Sequence, residues 1–250
     1  AQELFMNNPS SIRYSNFNPN NPTVVIAHGW LSNQETDINP EIRDAYLARS
    51  DTNVIVLDWR RLANSGYVTA VNGAPAIGRG LGQFLEFLIS VTGTRVDLFH
   101  LVGFSLGAHV VGNAGRTLGG RQAVHLIVSL DPAGPLWVYN SDKISATDAI
   151  YVEGIHTDGN YGIGLGIGTE IGHADFFPNG GNNQPGCLSG ICDHNRAWRL
   201  FAASVTYNHF VARHCAYWLQ VTLNTCRGDT FHMGNDYLRK FGSVYICFGD

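Results

Sequence analysis

Short apolar runs rich in β-branched residues recur along the chain between glycine-bearing segments. They are Thr23-Val-Val-Ile-Ala27, Asn53-Val-Ile-Val-Leu57, Val96-Asp-Leu-Phe-His-Leu-Val102, Ala123-Val-His-Leu-Ile-Val-Ser-Leu130 and Ala149-Ile-Tyr-Val-Glu153. Their hydrophobicity is continuous rather than alternating, which predicts strands buried on both faces of a mostly parallel sheet. Between them the period changes. Leu81, Phe84, Leu85, Leu88 and Ile89 mark a helix over Ala76–Val91, and two more are predicted over Ala108–Thr117 and Asn195–Tyr207. This alternation predicts a doubly wound α/β architecture in a single domain over residues 1–250. Pro178–Pro185 reads as a turn-rich loop. Gly164–Gly172 fails the spacing of a nucleotide-binding glycine cluster and reads as a flexible loop.

Composition narrows this picture. A chain of 250 residues with 44% hydrophobic content can bury a large core. A formal net charge of -4 with no long basic run argues against a nucleic-acid partner. No apolar run is long enough to cross a bilayer and no signal peptide is recognisable. A start at Ala1 without an initiator Met is expected of a processed or trimmed form. The five cysteines, Cys187, Cys192, Cys215, Cys226 and Cys247, form no CxxC pattern and read as disulfides of a secreted protein. A Cys187/Cys192 pair would tie off Leu188–Ile191 and a Cys215/Cys226 pair a longer loop, though spacing does not fix connectivity. Cys247 is left over, and a buried free thiol in a terminal strand is expected.

The chemistry-bearing motif follows the third run. Gly103-Phe-Ser-Leu-Gly107 sits between a predicted strand and a predicted helix, the setting of a nucleophile elbow that exposes a serine hydroxyl above a sheet. Side chains at Gly103 or Gly107 would collide with the neighbouring strand and helix. A serine needs a base, and the base an orienting acid, which follow in chain order in such sheets. Asp131 ends the fourth run and precedes Pro132-Ala-Gly-Pro135; it fits the acid, and equally fits a turn-capping aspartate. The histidines after it are His156, His173, His194, His209, His214 and His232. His194 stands out, because it comes just after Cys192 and before a predicted helix. The oxyanion needs two backbone donors. Leu106, after the serine, supplies one, and Trp30 in Ala27-His-Gly-Trp30 is the candidate for the second.

Taken together, these segments resemble the pancreatic lipase family, in its insect neutral lipase and phospholipase A1 branch. The matching stretches are Ile26-Ala-His-Gly-Trp30, Val56-Leu-Asp-Trp59, Gly103–His109, Leu130–Pro135, Ile155-His-Thr-Asp-Gly159, Asp175–Gly181 and Pro185-Gly-Cys187, in family order over nearly the whole chain. The resemblance implies an α/β-hydrolase fold with Ser105 as nucleophile, Asp131 as acid and His194 as base. It implies Trp30 and Leu106 as oxyanion donors. It also makes Cys187–Cys192 the lid disulfide and Cys215–Cys226 a downstream structural one.

Four departures shape the expected function. The lid is only Leu188–Ile191, which resembles the phospholipase A1 members and implies an open site, although the loop Asn160–Gly172 is moderately long. The C-terminal β-sandwich of pancreatic lipase is absent, so no colipase is expected. In Asn140–Asp148 the acidic residues of the family's calcium site are mostly replaced, so no metal is expected, and no other cofactor. Phe104 replaces the histidine often found before the nucleophile. The expected protein is a secreted, monomeric ester hydrolase of glycerolipids at a membrane or micelle surface. Phospholipase A1 or galactolipase activity is the first reading, and triacylglycerol lipase the alternative. A lipid-binding storage protein of the yolk-protein kind is a further alternative, disfavoured by the retained serine. Phe104, Leu136, Trp137, Phe176 and Phe177 are candidates for an acyl-binding wall.

Overall fold

Every one of the five apolar runs becomes a strand. The computed structural model describes residues 1–160, 163–223, 225–234 and 245–248. Its strands are β1 Thr23–Ala27, β2 Asn53–Leu57, β3 Phe99–Phe104, β4 Leu126–Leu130, β5 Tyr151–Ile155, β6 Ala174–Phe176, β7 Val211–Cys215, β8 Thr230–His232 and β9 Tyr245–Phe248. They form one sheet in the order β2-β1-β3-β4-β5-β6-β9-β7-β8. Pairing is parallel from β2 through β6 to β9, whereas β7 pairs antiparallel with both of its neighbours, β9 and β8. Cys247 belongs to β9, as expected for a terminal strand, but its side chain lies outside the described residues.

The helices are α1 Pro9–Arg13, α2 Ile38–Arg49, α3 Arg60–Ala63, α4 Tyr67–Thr92, α5 Leu106–Thr117, α6 Gly190–Tyr207 and α7 Trp218–Thr222. They cover both faces of the sheet. Along β1, Val25 and Ala27 pack into one core with residues of α4 and α5, while Val24 and Ile26 pack into the other with residues of α2 and α6. Both faces being apolar, the alternation that marks a half-exposed strand is absent.

Three boundaries differ from the sequence reading. The third run opens as a 3-10 turn over Val96–Leu98, where Asp97 turns out to pair with Arg95. Helix α4 begins well before Ala76 and continues through Pro75, which is buried inside it. Helix α6 begins at Gly190, so His194 lies within the helix and not before it.

The order in which strands are laid down reverses at β1: the chain steps from β1 outward to β2, then crosses back to β3 on the other side. Ligand sites in such sheets form outside the carboxyl ends of the strands at this switch point. Here the strand ends are in register, with Ala27 opposite Gly103, Phe104 opposite Leu130, Leu130 opposite Ile155, and Ile155 opposite Phe176. His28, Ser105, Asp131, His156 and Phe177 therefore emerge side by side along one edge.

Candidate active site

Ser105 follows β3 directly, with φ 56° and ψ −123°. A non-glycine residue in this region costs on the order of 1–3 kcal/mol, so its surroundings must impose it. They do so by hydrogen bonds: the Ser105 amide donates to the Leu130 carbonyl (3.0 Å), and its own carbonyl accepts from Ala108 (3.1 Å) and Ala133 (3.2 Å). The flanking glycines make the turn sterically possible. A Cβ on Gly103 would stand 2.3 Å from the Gly107 carbonyl oxygen, and one on Gly107 would stand 2.2 Å from that of Ala27.

Asp131 takes the equivalent place at the end of β4, fully buried, with φ 39°. Its Oδ1 accepts from the amides of Thr157 (2.8 Å) and Asp158 (3.2 Å), and its Oδ2 lies 2.5 Å from His194 Nδ1. An ionised carboxylate only accepts, so the histidine proton sits on Nδ1 and leaves Nε2 with a free lone pair. The imidazole packs on Phe104, ring centroids 4.6 Å apart, which brings it to the residue beside Ser105. No hydrogen bond joins the Ser105 hydroxyl to another described residue. In unliganded sites the nucleophile–base contact is commonly loose and tightens around substrate.

Gly29 brings a second backbone segment against the serine, a Cβ there falling 3.0 Å from the Ser105 Cβ. Beyond it, Leu31 reverses the chain with φ 57° and donates to Ala63 (2.9 Å). The amides of Trp30 and Leu106 donate to no acceptor among the described residues. A developing oxyanion needs unpaired N–H donors of this kind.

Several supporting residues were not legible in the sequence. The Gly164–Gly172 segment, expected to be flexible, is tied down where it is described. Gly166 pairs with Ala133 as an antiparallel bridge, Gly134 donates to Leu165 (2.8 Å) and Ile167 to Pro132 (2.7 Å). Gly166 lies so close to Asp131 that a Cβ would meet its carboxylate at 2.4 Å. Asp158 accepts from the Leu165 amide (2.9 Å) beneath this loop, and burial raises its carboxyl above the usual range. Gln184 joins the end of β5 to α6, donating to the Thr157 carbonyl (3.1 Å) while its amide bonds Asp193 (2.6 Å).

The remaining candidates fall elsewhere. His156 pairs with Asp175 (2.8 Å), and His173 accepts from the Val152 amide (3.0 Å). His209 packs on Phe210, and His232 bonds the Asn208 carbonyl (3.0 Å). His214, on β7, lies against Gly228. Of the proposed acyl wall, Phe104 touches His194 and Leu136 is exposed. Trp137, Phe176 and Phe177 are interior: Trp137 stacks on His109, Phe177 on His156, and Phe176 joins the core beneath α6. His109 itself is wholly buried between the Ala133 carbonyl (2.9 Å) and the Ile144 amide (3.2 Å), and burial pushes its pKa down to about 3. In Asn140–Asp148, the Asp148 carboxylate is gripped by the Arg116 fork (3.0 and 3.1 Å) and the Ser145 amide (2.9 Å). Positive charge there comes from the guanidinium. No group of three His, Cys, Asp or Glu side chains among the described residues is placed to hold a metal.

Both expected disulfides, Cys187–Cys192 and Cys215–Cys226, are formed. The loop closed by the first is shorter than its sequence suggests. Gly190 and Ile191 already belong to α6, whose amide at Cys192 is capped by the Ser189 hydroxyl (3.4 Å), leaving Leu188 and Ser189 as loop.

The family described as Lipase matches residues 1–237. Human pancreatic lipase-related protein 2 is 35% identical over 210 residues, covering 80% of this chain and 44% of that protein. Bovine phospholipase A1 member A is 36% identical over 208 residues, covering 78% and 44%. Human pancreatic triacylglycerol lipase is 32% identical over 242 residues, covering 87% and 52%. The chain spans about half the length of these curated relatives.

Proposed function

The chain belongs to the lipase family, and from that premise we propose that it is a secreted carboxylic ester hydrolase of glycerolipids. In this reading it works through an acyl-enzyme on Ser105 and has phospholipase A1-type selectivity. The observation that carries the proposal is the bond from His194 Nδ1 to Asp131 (2.5 Å), formed beside a serine held in a strained turn. His194 Nε2 takes the Ser105 proton as Oγ bonds the ester carbonyl carbon. Negative charge on the carbonyl oxygen then falls to the Trp30 and Leu106 amides. Collapse breaks the ester bond, and the departing alcohol leaves with the proton from His194. Water repeats the sequence on the acyl-enzyme and restores the serine.

The choice of phospholipase rests on the disulfide-closed loop. Two loop residues carry too little apolar area to cover an acyl chain, so substrate access needs no lid movement. Exposed apolar side chains rim the same edge: Leu31 after β1, Leu136 and Tyr139 after β4, and Leu188 and Ile191 before the His194 turn. Such a patch suits the surface of a membrane or micelle. The two disulfides support a secretory route.

Assays against phosphatidylcholine, a monogalactosyl diacylglycerol and triolein, each below and above aggregate formation, test this reading. We expect hydrolysis of phosphatidylcholine with no sharp rate increase when aggregates form. Activity confined to emulsified triolein would instead identify a triacylglycerol lipase.

A further inference from the structure

His28 is buried to zero exposure immediately before the loop that carries the Trp30 amide. Its Nδ1 lies 3.0 Å from the carbonyl oxygen of Gly29. A carbonyl can only accept, so Nδ1 carries the ring proton. Nε2 is equally buried and has no hydrogen-bond partner, which costs free energy. The ring stacks on Trp59, centroids 5.5 Å apart, and burial holds its pKa below the ordinary value, keeping it neutral. A phenylalanine would fill this space without an orphaned nitrogen. What the histidine adds is the Nδ1–H bond.

That bond acts on one particular peptide. In a trans peptide the C=O of one residue and the N–H of the next share a plane and point in opposite directions. No cis peptide is present among the described residues, so fixing the Gly29 oxygen fixes the direction of the Trp30 N–H. The peptides on either side are anchored as well. Trp59 Nε1 donates to the His28 carbonyl (2.9 Å), the Leu31 amide donates to Ala63 (2.9 Å), and the Trp30 indole donates to Ser65 (2.9 Å). Gly29, lacking a Cβ, would otherwise let the central plane rotate at little cost.

We propose that His28 is a positioning residue: its Nδ1–H locks the Gly29–Trp30 peptide so that the Trp30 amide faces the oxyanion formed at Ser105. This rests on the reading of Ser105 as the nucleophile. The role is worth less than a donor itself, because an unlocked amide still visits the right orientation.

Three variants and one spectrum test it. In His28→Asn, the side-chain Nδ2 can take the place of Nδ1 and donate to the same oxygen. In His28→Phe the volume is kept and the donor lost; in His28→Gln the donor sits one methylene too far. With a monomeric ester, His28→Phe and His28→Gln should lower kcat about 10- to 100-fold, short of the 10²–10³ seen when a donor is removed outright. KM should change by less than about twofold, and His28→Asn should keep kcat within about threefold of the parent. Equal losses in Asn and Phe variants of native circular dichroism, or losses in KM alone, would overturn the proposal. Nitrogen-15 spectra of the unsubstituted protein bypass any folding defect. They should show His28 neutral with the proton on Nδ1, and a proton on Nε2 would refute the lock. If the parent hydrolyses no ester, the acyl-enzyme reading fails; if the parent is active and the Asn and Phe variants match, only the role of His28 fails.

Discussion

Two buried histidine–aspartate pairs stand one strand apart in this sheet, and only one packs against the residue that precedes the strained serine. His194 meets Asp131 at 2.5 Å and His156 meets Asp175 at 2.8 Å, with all four side chains nearly or wholly buried. Their surroundings differ. The first imidazole packs on Phe104 at the serine turn, and its Nε2 bonds to no described residue. The second stacks flat on Phe177, its Nδ1 is enclosed without a partner, and Asp175 is further bonded by the Ile171 and Gly172 amides. A histidine–aspartate couple is therefore not an active site in itself. In the proposed reading it becomes one through a strained serine and unpaired amides nearby. The sealed pair still serves the open one, because His156 is followed directly by Thr157 and Asp158, whose amides hold Asp131.

Substitutions can break this contrast in decreasing order of size. Ser105→Ala should lower kcat by about 10⁶ and Asp131→Asn by about 10⁴, with folding retained, as measured on a monomeric ester. Asp175→Ala should act on the fold instead, costing about 3–5 kcal/mol in urea unfolding because it leaves a buried partner unpaired. Activity per folded molecule should fall far less than in Asp131→Asn; an equal fall would make the two pairs equivalent. A third buried histidine sharpens the comparison through pH. His109 has its folded pKa pushed down to about 3 from 6.5, so above pH 6.5 it is neutral folded or unfolded and its stability contribution is intact. Below pH 6.5 the unfolded chain binds a proton that the folded chain refuses. Stability should then fall by up to about 1.4 kcal/mol per pH unit from this group, until about pH 3. His109→Gln should flatten that slope in unfolding curves taken at pH 7, 6 and 5. The smallest effect is expected at the first disulfide: replacing Cys187 and Cys192 by serine should cost about 2 kcal/mol, since the closed loop is short. Activity on monomeric esters should persist.

The candidate site's edge was legible in the sequence because its signals are local. Apolar runs ending in Val102, Leu130 and Ala27 placed strand ends, and a serine flanked by two glycines placed the turn. Residues that act through distant partners were not. Helix α2 carries buried Asn39 and an irregular apolar pattern, so no period announced it. Helix α4 carries Pro75, which reads as a stop until packing against α5 overrides the lost hydrogen bond. Gly164–Gly172 reads as slack chain because its order comes from Asp158, Pro132 and Ala133, none of them adjacent. His28 reads as part of a strand-ending turn, since the one hydrogen bond of its ring among the described residues is with the next residue's carbonyl.

Reaction with a fluorophosphonate, followed by peptide mass spectrometry, tests the central claim most directly. One adduct per molecule is expected, on Ser105, formed far more slowly in His194→Ala. Folded protein that stays unlabelled, or carries its adduct on another serine, would contradict the account.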